Sequence, residues 1–185
     1  MHITDKKRYV NTNLYKRAAI FFVVAFMAFT LLGVTSCTSS IPQELAASEK
    51  LWKDPGLKNY DFTLTRQCFC PEDWRGPVNI QVRNGDATSV TYVSSGAAVT
   101  EGKFNNADTI DKLFTILKNA YAGKGDFDQK ADTINVTYDA NMGYPKDFFI
   151  DVSQTIADEE QGYTITNFVA KSSVQPGTIY PSQLN

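Results

Sequence analysis

Apolar and polar residues alternate in six short segments of the chain, and this period of two predicts half-buried β-strands. The clearest segment starts at Tyr60, where Tyr60, Phe62 and Leu64 share one face and polar residues occupy the other. Two further segments flank Asn84-Gly85, a pair suited to the positive φ angles of a tight hairpin turn. The predicted strands are residues 60–67, 78–82, 88–93, 133–138, 148–152 and 163–170.

Two other segments repeat their apolar residues at the spacing of a helix. Residues 44–53 form a short amphipathic segment that ends at the Asp-Pro-Gly sequence of residues 54–56. A longer helix is predicted to begin after Asp108 or Thr109, because either side chain can cap it, and to end at Gly123. Its apolar stripe consists of Ile110, Leu113, Phe114, Leu117 and Tyr121.

The order of the predicted elements is helix, three strands, helix, three strands, and this order determines the expected fold class. Strands that are polar at alternate positions favour an antiparallel sheet with one face in water. The two amphipathic helices would cover the other face, which predicts a two-layer α+β domain. The αβββ-αβββ order is also compatible with a tandem repeat of one αβββ unit.

One segment is apolar on every face and has the layout of a secretory signal. Residues 18–34 form the apolar run, Lys16 and Arg17 precede it, and small residues lead into Cys37. The four residues that end at Cys37 resemble the lipobox of bacterial lipoproteins, whose cysteine is acylated and becomes the first residue of the mature protein. The alternative is an uncleaved transmembrane anchor, because a run of 17 residues reaches the lower limit for spanning a bilayer.

Both interpretations export everything after residue 36, since the basic residues before the apolar run stay in the cytoplasm. The 149 residues that follow the signal are enough for one domain with its own core. The predicted organisation is a signal peptide at residues 1–36, a tether at 37–43, a single α+β domain at 44–171 and a flexible tail at 172–185.

The lipoprotein resemblance also implies a location. In that family, an aspartate directly after the acylated cysteine retains the protein in the inner membrane. Here the residue after Cys37 is Thr38, and no acidic run follows it. The mature protein is therefore expected to be lipid-anchored on the periplasmic face of the outer membrane, in a host that has two membranes.

Removal of the signal makes the mature chain more acidic than the precursor. The full chain has 18 Lys and Arg and 20 Asp and Glu, and five of the basic and one of the acidic residues lie before Cys37. The mature chain therefore keeps 13 basic and 19 acidic residues, a net charge of −6. Because such a surface repels phosphate, nucleic acid is excluded as a partner, and so is docking on anionic lipid through basic residues.

The absence of histidine from the mature chain restricts its chemistry, because the only histidine, His2, lies within the signal. Histidine-dependent nucleophilic catalysis and histidine-containing metal sites are thereby excluded. The sequence also lacks a glycine-rich phosphate loop, a dinucleotide fingerprint and an HExxH motif. It therefore predicts a protein that is not an enzyme and that binds no cofactor.

Cys68 and Cys70 are the cysteines that remain after the lipobox, in a compartment that favours disulfides. Residues i and i+2 of a strand lie about 6.6 Å apart, near the upper limit for a disulfide, so the bond requires a bend that Pro71 could provide. A local disulfide, two reduced thiols, and a metal or redox site all remain open at this spacing. Phe69, between the cysteines, is expected to be a core or edge aromatic, like Tyr144, and not a ligand platform.

Acidic loops offer the other candidate chemistry. Asp139, Asn141 and Gly143 have the spacing that begins a calcium loop, although glycine stands where a third oxygen ligand is needed. These residues are therefore expected to form a turn or solvated loop, and calcium binding is the alternative. The acidic residues 158–160 are expected to cap the hairpin between the last two strands.

A set of motifs resembles those of a family of bacterial lipoproteins known only as a domain of unknown function. Its distinctive parts are the CxC of residues 68–70 and a later string of the form YD…GYP…D…DE. The matching residues are Trp52, Tyr60, residues 68–70, Leu113-Phe114, Tyr138-Asp139, residues 143–145, Asp151 and Asp158-Glu159. That family brings no assigned activity. The element order also resembles the PepSY-like and β-lactamase-inhibitor-protein-like folds, at the level of fold alone.

Two classes of function follow from these observations. The first is a non-catalytic binding or structural module of the cell envelope, attached to the membrane through Cys37 and contacting an envelope protein. The second is a thiol-redox or metal-handling lipoprotein that acts through Cys68 and Cys70. The absence of histidine from the mature chain favours the first class.

Overall fold

The computed structural model describes residues 42–172 of the 185-residue chain. The predicted signal peptide, the acylation site Cys37 and all but the end of the tether lie outside the described residues, as does the tail beyond Ser172. Within the described part of the chain, no helix is both long and apolar enough to cross a membrane.

Six β-strands, two α-helices and one short 3₁₀ turn form the described domain. Each predicted strand and helix is confirmed as an element, with bounds that differ by at most a few residues. The elements are α1 (Gln43–Lys53), β1 (Tyr60–Gln67), the 3₁₀ turn (Glu72–Trp74), β2 (Val78–Arg83), β3 (Asp86–Tyr92), α2 (Ile110–Ala122), β4 (Thr133–Tyr138), β5 (Pro145–Asp151) and β6 (Gln161–Ala170).

All six strands form one sheet in the order β3-β2-β1-β6-β5-β4, and every neighbouring pair is antiparallel. β1 and β6 lie at the centre, so the first strand of the domain pairs with the last. Between β2 and β3, Asn84 and Gly85 have φ angles of 56° and 94°. The tight hairpin predicted at this pair is therefore confirmed.

This architecture overturns the predicted two-layer α+β class. The domain is dominated by its six-stranded antiparallel sheet, and the two helices are short, at 11 and 13 residues. It is closer to a β-rich fold. The prediction assigned both helical segments to a layer covering the sheet, whereas α1 buries only Leu45 and Trp52. The tandem-repeat interpretation belonged to that class and is dropped with it.

The second helix, α2, begins and ends where its capping residues predict. The side chain of Thr109 accepts a hydrogen bond from the backbone N–H of Lys112 at 3.3 Å, which caps the helix start. Gly123 follows the helix at φ 63°, the left-handed conformation that ends many helices. The buried residues of α2 are Ile110, Leu113, Phe114, Ile116, Leu117 and Ala120.

An aromatic cluster joins α1 to the sheet. The ring of Trp52 packs edge-on against Tyr60 of β1, with centroids 5.2 Å apart, and against Phe168 of β6 at 5.8 Å. Tyr144, which precedes β5, stacks on Phe168 at 4.5 Å. Tyr144 is therefore a core aromatic, as predicted.

The sheet has one buried face and one open face. On β2, for example, Val78, Ile80 and Val82 are buried, whereas Asn79 and Gln81 between them are exposed. Alternate strand residues point to opposite faces, so the same division extends across the sheet. The open face is therefore a surface on which a binding site can lie.

Candidate functional site

β1 ends in a three-residue loop in which Cys68 and Cys70 are joined as a disulfide, with Cα atoms 5.3 Å apart. An extended strand would separate these Cα atoms by about 6.6 Å, so the chain bends here. Pro71, at φ −53°, follows the disulfide loop and directly precedes the 3₁₀ turn. Of the arrangements that the spacing left open, the structure contains the local disulfide.

Three contacts hold the segment after the disulfide against the sheet. The backbone N–H of Arg66 donates to the carbonyl of Arg75 at 2.8 Å. The hydroxyl of Tyr92 donates to the carbonyl of Asp73 at 2.7 Å, and the Asp73 carboxylate pairs with Lys103. The disulfide loop therefore projects from a fixed base.

Phe69, between the two cysteines, is 80% exposed, so its prediction as a core or edge aromatic is wrong. Phe69 lies beyond the end of β1, in the bent loop, where the alternation of the strand no longer predicts which side chains are buried. Phe149 of β5 is also exposed, and a depression of about 320 Å³ lies between the two rings. We call this the Phe69 surface; it is formed by Gln67, Cys68, Phe69, Phe149 and Glu160.

A glycine brings the two sides of the Phe69 surface together. Gly162 of β6 pairs with Phe149 on one side and with Gln67 of β1 on the other. A Cβ atom at Gly162 would lie 3.1 Å from the Cβ of Gln67, closer than ordinary side-chain contact. Because glycine has no side chain, Phe149 and the end of β1 are neighbours across the open face.

Beneath this end of the sheet lies a buried arginine that sequence reasoning missed. Arg66 is 7% exposed, and its guanidinium lies 5.1 Å and 5.3 Å from the ring centroids of Phe104 and Tyr163. It donates to the carbonyl of Lys103 at 3.2 Å and to the side-chain oxygen of Asn106 at 2.8 Å. Aromatic faces and neutral oxygens thus stabilise the charge and hold the 103–106 segment in place.

One feature of the sequence indicated that Arg66 is buried. Arg66 continues the alternation of Tyr60, Phe62 and Leu64, which places it on the buried face of β1. A charged residue at such a position requires compensating partners in the core. Burial raises the pKa of Tyr163, and the neighbouring guanidinium opposes this rise.

The predicted acidic loops are turns. The Asp139 carboxylate accepts hydrogen bonds from the backbone N–H groups of Asn141 at 3.0 Å and Met142 at 2.9 Å. Between β5 and β6, Glu159 accepts from the N–H of Ser153 at 2.6 Å. Within residues 42–172, no group of three or more His, Cys, Asp or Glu side chains is arranged to hold a metal ion.

Comparison with known proteins supplies a family and no activity. Neither the curated proteins nor the solved structures contain a match to this chain. A family model matches residues 44–170, which is most of the described domain, and that family has no known function. The chain therefore belongs to the family of unknown function DUF6174.

Proposed function

We propose that the protein is a lipid-anchored, non-catalytic binding module of the cell envelope that contacts another envelope protein through the Phe69 surface. The observation that carries this proposal is the 80% exposure of Phe69 on a loop whose base is fixed. Exposure of an apolar ring to water is unfavourable in free energy. Burial of a phenylalanine side chain contributes roughly 1.5–3 kcal/mol, so a partner that covers the ring gains affinity.

The construction of the loop also supports a binding role. The disulfide between Cys68 and Cys70 restricts the backbone on both sides of Phe69. A side chain that is already held in place loses less conformational entropy on binding than one on a mobile loop. Gln67 and Glu160 surround the apolar centre with polar groups, as in the rim of protein–protein interfaces.

The anchor is proposed from the sequence before the domain. The apolar run at residues 18–34 and the small residues that precede Cys37 support export and acylation. Thr38 supports transfer to the periplasmic face of the outer membrane, in a host that has one. Replacement of Cys37 by serine should abolish acylation and leave an unprocessed precursor. Cleavage of that variant at the same bond, with retention on the membrane, would contradict the anchor.

The binding role is tested by photo-crosslinking in the native host. A crosslinking amino acid replaces Phe69 in the full chain, and a matched variant carries it at Ile156, which is also exposed but lies in the loop between β5 and β6. We expect a discrete crosslinked envelope protein from position 69 and none from position 156. The same products from both positions, or none from position 69, would refute the proposal.

Exchange of the disulfide is a second candidate, favoured by the position of the cysteines beside two surface depressions. A thiolate of a dithiol protein would attack one sulfur, break the Cys68–Cys70 bond and release the other cysteine as a thiolate. The second thiol of the dithiol protein would then resolve the mixed disulfide, leaving that protein oxidised and this chain with two thiols.

Intact-mass measurement separates the two candidates. The full chain is alkylated with and without prior incubation with a dithiol. A disulfide that resists mild dithiol supports the binding role, and rapid labelling of two cysteines supports exchange.

A further inference from the structure

The two edges of the sheet differ in whether the chain covers them. The β3 edge is covered by the segment that follows it, because Thr91 forms a bridge with Ala98. The N–H of Val99 also donates to the carbonyl of Val90 at 2.9 Å. At the opposite edge, β4 pairs with β5 alone among the described residues.

The sequence of β4 lacks the features that usually protect a sheet edge. Residues 133–138 read Thr-Ile-Asn-Val-Thr-Tyr, with no charged residue and no proline. Natural edge strands are commonly blocked by lysine, by proline or by a bulge within the strand. The single register shift in the pairing with β5 lies at Thr137 and Tyr138, so residues 133–137 present a regular edge.

A depression of about 420 Å³ runs along this edge and is lined by residues from both faces of the sheet. Ile134 and Val136 contribute from the buried side, and Asn135 and Thr137 from the open side. Tyr121 of α2 forms part of the wall. The space that a further strand would occupy is therefore lined by side chains from both faces of β4 and by Tyr121.

The charge around the β4 edge is mainly negative. Glu44 and Asp147 line the depression, and Asp132 and Asp139 lie at the two ends of the strand. Two basic residues, Lys130 and Lys146, lie nearby in sequence and are exposed. This excess of carboxylates over amines favours a partner that carries Lys or Arg.

We propose that β4 accepts an extended segment of a partner protein as a seventh strand, and that this segment carries basic residues at its ends. Strand addition satisfies the outward N–H and C=O groups of β4 through backbone hydrogen bonds. Alternate side chains of the added strand would enter the depression or extend the open face. The depression beside β4 shares no residue with the Phe69 surface, so strand addition there is independent of binding at Phe69 and of the anchor.

A second copy of this chain fits the edge less well. Antiparallel pairing of two β4 strands about their common centre would place Asp132 of one copy opposite Asp139 of the other, at both ends of the ladder. Like charges directly opposite each other destabilise a strand pair. The chain's own segment 173–185 carries no charged residue, so it lacks the complementary charge as well.

The test uses the full chain and synthetic peptides about seven residues long, the length of an ordinary strand. One peptide alternates Thr and Val and has Lys at both ends, and its control has Glu in place of Lys. Hydrogen exchange of individual amides reports where each peptide binds. We expect the Lys peptide to slow exchange at alternate residues of β4, and the Glu peptide to bind at least about tenfold more weakly.

Two charge variants complete the test. Glu44→Lys, beside β4, should weaken binding of the Lys peptide by about tenfold, whereas Glu101→Lys, near the covered β3 edge, should leave it unchanged. The proposal is overturned if the Lys peptide protects no amide of β4 or if both peptides bind alike. It is also overturned if the β4 amides exchange slowly without peptide and exchange faster once the chain is truncated after residue 172, because the chain's own tail then occupies the edge. A dimer in which the β4 strands of two copies pair would overturn it as well.

Discussion

The hydroxyl of Tyr60 in β1 accepts a hydrogen bond from the backbone N–H of Ile110, the first residue of α2, at 3.1 Å. Both residues are buried, so water has little access to this bond. The first N–H groups of a helix have no partner within the helix. A central strand of the sheet therefore supplies the acceptor that the start of α2 needs.

Replacement of Tyr60 by phenylalanine should lower the free energy of unfolding by about 1–3 kcal/mol, because the N–H of Ile110 is left buried without an acceptor. Tyr92→Phe is the control, since its hydroxyl donates to Asp73 at an exposed position where water can take its place. Denaturant unfolding measures both losses. Equal losses in the two variants would contradict the structural role of the Tyr60 hydroxyl.

Alkaline pH should destabilise the fold through buried tyrosines. Burial raises the pKa of Tyr60, Tyr138 and Tyr163 in the folded state above the value of 10.0 for an unperturbed tyrosine. The folded state then holds these protons more tightly, so their contribution is complete below about pH 10 and is lost as the pH rises further. Unfolding free energies measured between neutral and alkaline pH should fall more gently in Tyr60→Phe. If the unfolding free energies of Tyr60→Phe and the unaltered chain fall equally steeply with pH, ionisation of Tyr60 does not contribute to the loss.

Leu117 of α2 has no exposed surface, so Leu117→Ala should destabilise the domain by about 2–5 kcal/mol through lost burial and a residual cavity. Thr115 lies on the exposed side of the same helix, and Thr115→Ala should change stability by less than about 0.5 kcal/mol. Denaturant midpoints of the two variants provide the comparison. A loss below half a kilocalorie for Leu117→Ala would mean that α2 does not contribute to the core as described.

Gly143 is required both by its φ of 78° and by the close approach of α1. A Cβ atom there would lie 2.3 Å from the carbonyl oxygen of Ser48, so alanine must displace the helix. Gly56 has a similar φ of 64° and open space around it, so Gly56→Ala shows the backbone effect alone, about 1 kcal/mol. Gly143→Ala should cost at least about 2 kcal/mol. Thermal unfolding that shows equal losses would contradict the packing of α1 on this turn.

Local features of the fold could be predicted because they depend on neighbouring residues. The alternation that begins at Tyr60, the hairpin at Asn84 and Gly85, and the end of α2 at Gly123 are all features of this kind. The fold class depended instead on where the two short helices would pack against the sheet. An apolar stripe such as that of α2 shows which side is buried, and it does not show what lies against it.

The candidate site was less accessible to prediction for related reasons. The spacing of Cys68 and Cys70 left a local disulfide as one of three alternatives, and the exposure of Phe69 depends on the direction that the chain takes after β1. Phe149 and Gln67 lie close together because β6 pairs with both β5 and β1. These pairings join parts of the chain that are distant in sequence. The aromatic partners of Arg66 are equally remote in the chain.

Binding of a partner through Phe69 can be measured by comparing three dissociation constants. The dissociation constant of the protein captured by crosslinking at position 69 is measured for the full chain, for Phe69→Ser and for the control Ile156→Ser. Both substituted side chains are exposed, so neither change removes core packing. We predict at least about tenfold weaker binding for Phe69→Ser and no change for Ile156→Ser, as expected for an interface hot spot. Equal affinities of Phe69→Ser and the unaltered chain would show that Phe69 does not contribute to partner binding.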